Sequence, residues 1–295
     1  MAQDAVFIPD SEGYKSSNFF LPMLFLPQVK REAIATIYHF CRYTDDIVDD
    51  LSNDAITRRS RLLKWSEELQ RALGGRSESP FLNKLNGIIH RFRIPEQPFI
   101  DLIRGMEMDL VWERYNTYED LELYCYRVAS TVGLMCAEVF GYRSESAKEY
   151  AILLGKALQL TNVLRDVKQD ARNGRIYLPR EDMKRFGYSE EDLMNSVYDE
   201  RFVALMQFEA GRAYGLFAQA RKSLSEDDKQ SFATARAMGT IYYSLLRKME
   251  EKRFDVFSSR IRLNIPYKLG VVMLLGLRNL FPRSLRRRLP QILPV

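Results

Sequence analysis

Apolar residues recur along most of this chain at intervals of three and four, the spacing that gathers them on one face of an α-helix. The pattern predicts helices over 29–51, 57–73, 79–92, 96–114, 118–140, 145–171, 199–223 and 229–254. Breakers fall between them: Gly74-Gly75, Pro95, Gly141 and Gly174. Strand signals are weak. The one short β-like run, NGRIYLP at 173–179, is expected to cross the mouth of a bundle as a loop. The architecture expected is an all-α bundle with a central apolar cavity.

Two helices carry polar stripes that the pattern does not require. The segment YHFCRYTDDIVDD (38–50) places Tyr38, Arg42, Asp45 and Asp49 within an arc of roughly 60° at about 100° per residue. The segment QLTNVLRDVKQD (159–170) places Gln159, Asn162, Asp166 and Asp170 within roughly 80° by the same rule. A single acidic pair at i,i+4 is ordinarily a solvated surface. The second helix resists that reading. Ile152, Leu153, Leu154, Leu158, Leu160, Val163, Leu164 and Val167 surround its axis. A helix apolar all round is buried, and buried carboxylates need a metal or a charge partner. Two facing acidic stripes can hold hard cations, and those cations can hold a diphosphate, because Mg²⁺ prefers a few carboxylates plus phosphate oxygens.

Composition narrows the class. Hydrophobic content of 46% and charged content of 28% are those of a soluble globular domain. No low-complexity linker divides the chain, so one catalytic domain over 1–265 is expected, followed by a basic amphipathic tail of the same domain over 266–295. The net charge of +5 is local, since residues 278–288 carry five arginines and no acid. A nucleic-acid footprint is therefore not expected. Cys41, Cys125 and Cys136 form no CxxC or His/Cys cluster and read as reduced core thiols of a cytoplasmic protein. The N-terminus lacks the apolar core of a secretory signal. The apolar run 269–277 is too short to span a bilayer. Joined to the arginines, segment 266–289 suits peripheral contact with an anionic membrane, on its inner face. Oligomeric state is not legible. His39 and His90 lack a ligand pattern. Glu107 and Asp109, two residues apart, do not share a helix face and read as structural.

Three stretches, DDIVD (45–49), YCYRVASTVG (124–133) and ALQLTNVLRDVKQDARNGRIYLP (157–179), resemble the squalene/phytoene synthase family, head-to-head prenyl diphosphate synthases of the isoprenoid-synthase fold. The likeness runs from about SSNFF (16–20) to DVF (255–257). It implies that Asp45, Asp49, Asp166 and Asp170, with Asn162, hold Mg²⁺ at the diphosphates. It implies that Arg42, Arg165 and Arg175 bind phosphate oxygens and that Gln159 lines the cavity. Tyr38, Tyr126 and Tyr177 would orient diphosphate or face a carbocation, and Tyr242 and Arg260 would contribute substrate contacts. Two departures stand out: Ser130 where the family often has glycine, and Lys168-Gln169 between the second pair of aspartates.

The resemblance implies a Mg²⁺-dependent transferase. The reading placed first joins two farnesyl diphosphates to presqualene diphosphate, with NADPH needed if the reaction continues to squalene. The same-class alternative joins two geranylgeranyl diphosphates to phytoene. A non-catalytic assembly protein of the same family is the alternative from another class, and the intact aspartates speak against it. A membrane-surface binding protein acting through 266–288 would leave the aspartates without a purpose.

Overall fold

The computed structural model describes residues 20–23, 26–111 and 114–280. Most of the described residues are α-helical. A short turn α1 (Phe20–Met23) precedes α2 (Gln28–Asp49), α3 (Ala55–Leu73), α4 (Pro80–Phe92) and α5 (Gln97–Val111). Then follow α6 (Tyr118–Cys125), α7 (Thr131–Phe140), α8 (Ser146–Arg172), the short α9 (Arg180–Arg185) and α10 (Glu190–Met194), α11 (Glu200–Ser223), α12 (Ala233–Glu251) and α13 (Ile265–Leu280). Among the described residues there is no β-sheet; a single parallel bridge pairs Arg114 with Ile176. The all-α expectation holds, and the long predicted helices match to within a few residues at their ends.

Helix α8 is the axis of the bundle. It packs against α7, α11 and α12, and its Leu154, Leu160, Val163, Leu164 and Val167 are all buried. Apolar residues all round its circumference have partners on nearly every side, as the sequence demands. Helix α2 packs against α3, α5 and α7. Phe40 stacks on Trp65 with centroids 5.6 Å apart, and the Trp65 indole donates to the Thr44 hydroxyl at 3.0 Å. Phe40 and Thr44 lie across the helix axis from Arg42, Asp45 and Asp49. Locking one side of α2 into the core therefore turns the acidic stripe toward the bundle's interior opening.

One expected helix, 118–140, is interrupted. Residues Tyr126–Ser130 form a π-helical turn between α6 and α7. This turn lies directly on α8 at Gly155, where an added Cβ would stand 2.6 Å from Ser130 Cα. The fully buried Ser130 hydroxyl donates to the Ile152 carbonyl at 2.7 Å. Here a serine does the joining where the family often carries glycine, and it is Gly155 opposite that leaves the room. A five-residue change of winding is too brief to disturb a periodicity read over longer windows.

Candidate active site

A chamber of about 880 Å³ runs between α2, α7, α8 and α12. On α8 it extends from Tyr150 to Arg165, which at about 1.5 Å per residue is roughly 22 Å. Its floor is apolar and aromatic: Ile34, Phe140, Tyr150 and Phe232, with Phe232 edge-on to both Phe140 and Tyr150. Its other end is polar. Tyr38, Arg42, Asp45, Gln159, Asn162, Arg165, Tyr242 and Arg260 all line it, so eight side chains singled out from sequence meet in one space.

The remaining candidates cluster beside that polar end. Helix α8 stops in a Schellman motif. Gly174 takes φ of +82°, the Gly174 amide donates to the Ala171 carbonyl at 2.9 Å, and the Arg175 amide donates to the Asp170 carbonyl at 2.9 Å. The reversal throws Arg175 back toward α2, where its guanidinium binds Asp49 at 2.6 Å and reaches the Val48 carbonyl at 3.4 Å. The loop 173–179 thus crosses between the two acidic helix ends, as expected. Tyr177 is buried beside Asp170 and Arg175. Tyr126 is half-buried in the π-helical turn and does not line the chamber; Tyr124, one turn-step earlier, does.

The carboxylates do not share their charge partners equally. Arg165 and Arg260 both grip Asp166, the latter at 2.9 Å, and together they outweigh burial and hold the Asp166 carboxyl below the usual range. The Arg165 pKa is raised: burial works against its charge, but Asp166 and the Tyr242 hydroxyl prevail. Asp45 is pushed up to about 7 by burial first and by neighbouring Asp49, although Arg42 lies 2.9 Å away. Asp170 is likewise pushed up to about 7, by burial first and then by Asp166, with Arg175 opposing. Burial first, and neighbouring carboxylates second, thus disfavour the charged forms of Asp45 and Asp170.

Asp109 belongs to this cluster, against its reading as a structural residue. It accepts hydrogen bonds from the Tyr124 and Tyr177 hydroxyls, each at 2.8 Å. Burial above all, then Asp49, lifts its carboxyl to about 6. The spacing argument missed it because Asp109 works alone from α5; its partners come from α6 and from the loop after α8. The only sequence signal was an acid within the apolar run of 99–111.

Whether these residues fit a divalent cation can be judged from the protein itself. The Asn162 side-chain carbonyl is buried, lines the chamber and has no hydrogen-bond partner. Such an orphaned acceptor costs about 1–3 kcal/mol unless something satisfies it. A cation there would satisfy it and also relieve Asp45 and Asp170. Among the described residues no three carboxylate, thiol or imidazole groups converge on one point. The donors therefore suit ions completed by a ligand's own oxygens, not a closed protein cage.

Residues 13–266 match the family model of squalene/phytoene synthase. The chain is 40% identical over 257 residues to a 15-cis-phytoene synthase of Synechococcus elongatus, covering 83% of each protein. It is 39% identical over 266 residues to a 15-cis-phytoene synthase of Synechocystis sp., covering 86% of this chain and 79% of that one. A solved dehydrosqualene synthase superposes with a TM-score of 0.78 at 29% identity, over 90% of this chain and 92% of the other. The squalene synthase HpnC from Alicyclobacillus acidocaldarius gives 0.72 at 28% identity, over 80% and 89%. With a continuous match over most of its length and an aspartate-rimmed apolar chamber in an all-α bundle, the chain belongs to the squalene/phytoene synthase family, prenyltransferases that join two prenyl diphosphates head to head.

Proposed function

We propose that this enzyme is a phytoene synthase, condensing two geranylgeranyl diphosphates. The observation that carries this is the 39–40% identity to two cyanobacterial phytoene synthases over more than four-fifths of the chain. It favours the twenty-carbon alternative over the fifteen-carbon substrate placed first from sequence. The chamber is consistent with long prenyl tails, being apolar over most of its lining. Phytoene formation ends in proton loss, so no NADPH is required.

The family uses a divalent metal to ionise prenyl diphosphates. We assign Mg²⁺ that role here, with Asp45, Asp49, Asn162, Asp166 and Asp170 as its holders. When bound it would neutralise the leaving diphosphate and ease C–O ionisation. Arg42, Arg165, Arg175 and Arg260 are placed to take phosphate oxygens, for which the guanidinium fork is suited. Release of Asp166 and Asp49 from these arginines would accompany substrate entry. Gln159 and Tyr242 flank the diphosphate. Tyr38 on the chamber wall can face a cation through its ring, and Tyr177, with Tyr124, sits beside the diphosphate end. Tyr126 is the weakest member of the set, since Tyr124 occupies the wall in its place. The apolar walls keep water from the allylic cation until the second double bond reaches it. Asp109, its carboxyl lifted to about 6 chiefly by burial and bonded to two phenols, is positioned to hold or relay a proton at its Oδ atoms. Catalysis belongs to 1–265, and the basic segment 266–295 is part of the same domain, with Lys268 in the chamber wall and Val271, Val272 and Leu275 packed into the core. Its basic residues from 281 onward lie outside the described residues.

The test is product analysis by mass spectrometry after incubation with Mg²⁺ and each diphosphate, with and without NADPH. Geranylgeranyl diphosphate should be consumed and phytoene should appear without NADPH. Turnover of farnesyl diphosphate alone, to presqualene diphosphate or squalene, would overturn the assignment and restore the fifteen-carbon reading.

A further inference from the structure

Arg260 reaches the chamber from a strap rather than from a helix. Residues 252–264 join α12 to α13 without helical turns of their own. From this strap the Arg260 guanidinium takes both oxygens of Asp166, each at 3.0 Å. Ile261, Arg262 and Leu263 of the same strap line the chamber beside it. The strap begins in a costly turn. Arg253 and Phe254, neither of them glycine, take φ of +52° and +58° in succession, a conformation held only where surrounding contacts enforce it. Phe254, Val256, Phe257 and Ile261 are buried, and the Phe257 ring lies 4.6 Å from that of Phe202 between centroids. Ser258, Ser259 and Arg260 are exposed. Core packing therefore fixes the two ends of this stretch and leaves the path of Arg260 to polar ties.

Two lysines supply those ties. The Lys168 ammonium, on α8, donates to the Phe257 carbonyl, and the Lys248 ammonium, on α12, donates to the Arg262 carbonyl at 2.7 Å. The two bonds bracket Arg260 along the chain. Both have a charged donor, which makes them stronger than bonds between neutral groups. Lys168 and Asp166 lie two positions apart, about 200° around α8. The strap thus passes round the end of that helix with one anchor on each side of it. Lys168 is also one of the two positions between the second aspartates at which this chain departs from the family pattern. Its tie to the strap is therefore a property of this chain, not one that the resemblance implies.

We propose that Lys168 and Lys248 are positioning residues, which hold the strap on both sides of Arg260 and keep its guanidinium at the diphosphate end of the chamber. This rests on Arg260 being a phosphate ligand, as proposed for the site. The need for the lysines arises when Asp166 turns to a cation. Arg260 then loses its carboxylate partner, and an arginine on an exposed stretch gains freedom that a phosphate must remove again. Two carbonyls fixed from α8 and α12 keep its backbone in place while a phosphate oxygen succeeds the carboxylate. Less ordering then remains for the substrate to impose, and it binds more tightly.

Calorimetric titration of the full-length protein with inorganic diphosphate and Mg²⁺ reads this affinity without turnover. Lys168→Met with Lys248→Met keeps the apolar stems and removes both donors, and should weaken binding about tenfold. Lys168→Arg with Lys248→Arg keeps the donors and should bind as the wild type does. Arg260→Ala should weaken binding by about tenfold or more. On that background the two methionines should add less than about twofold, because they act through the residue already removed. Helical content should be unchanged throughout, since both lysines are only half-buried; should the double methionine variant lose it, Lys168→Met alone carries the same comparison. Wild-type affinity in the methionine variant, or weak binding by the arginine one, would overturn the proposal. So would an equal loss from the methionines without Arg260, which would reflect only the field of two missing charges. Wild-type affinity in Arg260→Ala would overturn the site reading, and the proposal with it.

Discussion

Arg175 binds Asp49 at 2.6 Å although 126 residues separate them, and this pair ties the C-terminal end of α8 to that of α2. The tie depends on a helix cap. Gly174 in the left-handed region ends α8 and aims the next residue at the neighbouring acidic helix. Arg175 also shares the Val48 carbonyl with Arg58, which donates to it at 2.7 Å. The end of α2 is thus tied down by two guanidiniums beside the chamber's polar end.

Removing one carboxylate from either helix should abolish turnover without unfolding the bundle. Asp45→Asn and Asp166→Asn are each expected to lower kcat at least about 100-fold, as loss of a charge-stabilising group at a reacting centre does. Circular dichroism should be unchanged. Turnover near wild type with Mg²⁺ in either variant would remove that aspartate from the site.

The raised carboxyls give a signed pH dependence for the metal-free protein. Asp45 and Asp170 lie near 7 and Asp109 near 6 when folded, against about 4 in an unfolded chain. The folded state therefore binds more protons than the unfolded one between about pH 4 and 7, and stability falls as pH rises through that window. Divalent cation should reverse the loss, because it replaces those protons. Thermal unfolding should show a larger Mg²⁺-induced rise in Tm at pH 8 than at pH 5. An equal rise at both would mean that the cation binds elsewhere.

Asp109→Asn keeps the size of the side chain but removes its charge. Tyr124 and Tyr177 donate to different oxygens of Asp109, so the amide keeps one acceptor and loses the other, and stability should fall by about 1–3 kcal/mol with helical content unchanged. If Asp109 handles a proton, kcat should fall by about 10²-fold or more and its pH profile should lose the limb near 6. Unaltered kcat and profile would return Asp109 to a structural role.

Gly155→Ala should show how tightly the π-helical turn is seated. Its new methyl would meet Ser130 Cα at 2.6 Å and Ser130 N at 2.7 Å, both backbone atoms that cannot swing aside. Overpacking of this kind costs about 1–3 kcal/mol. Urea denaturation should report that loss, with reduced activity because Val128 and Ala129 of the same turn line the chamber. Wild-type stability would mean that α8 and the turn separate freely.

The sequence by itself determined the helices and most of the chemistry. Period and i,i+4 spacing are local properties, so the stripes Tyr38–Asp49 and Gln159–Asp170 could be read without knowing what they face. Only the tertiary structure decided how charge is shared among them. Arg165 and Arg260 serve Asp166, Arg175 serves Asp49, and Asp45 and Asp170 are pushed up to about 7, by burial first. That allotment depends on distances between helices far apart in the chain. Asp109 entered the cluster for the same reason: a lone acid has no periodicity, and its tyrosine partners come from other elements. The π-helical turn was hidden because five residues are too few to disturb a periodicity, and Gly155, which leaves room for it, lies on a different helix. The tail read as amphipathic, but which side of α13 is covered, Val271, Val272 and Leu275 against the exposed Leu269 and Met273, was hidden too. An apolar run reads the same whether it is covered on all sides or on one, and only packing distinguishes the two.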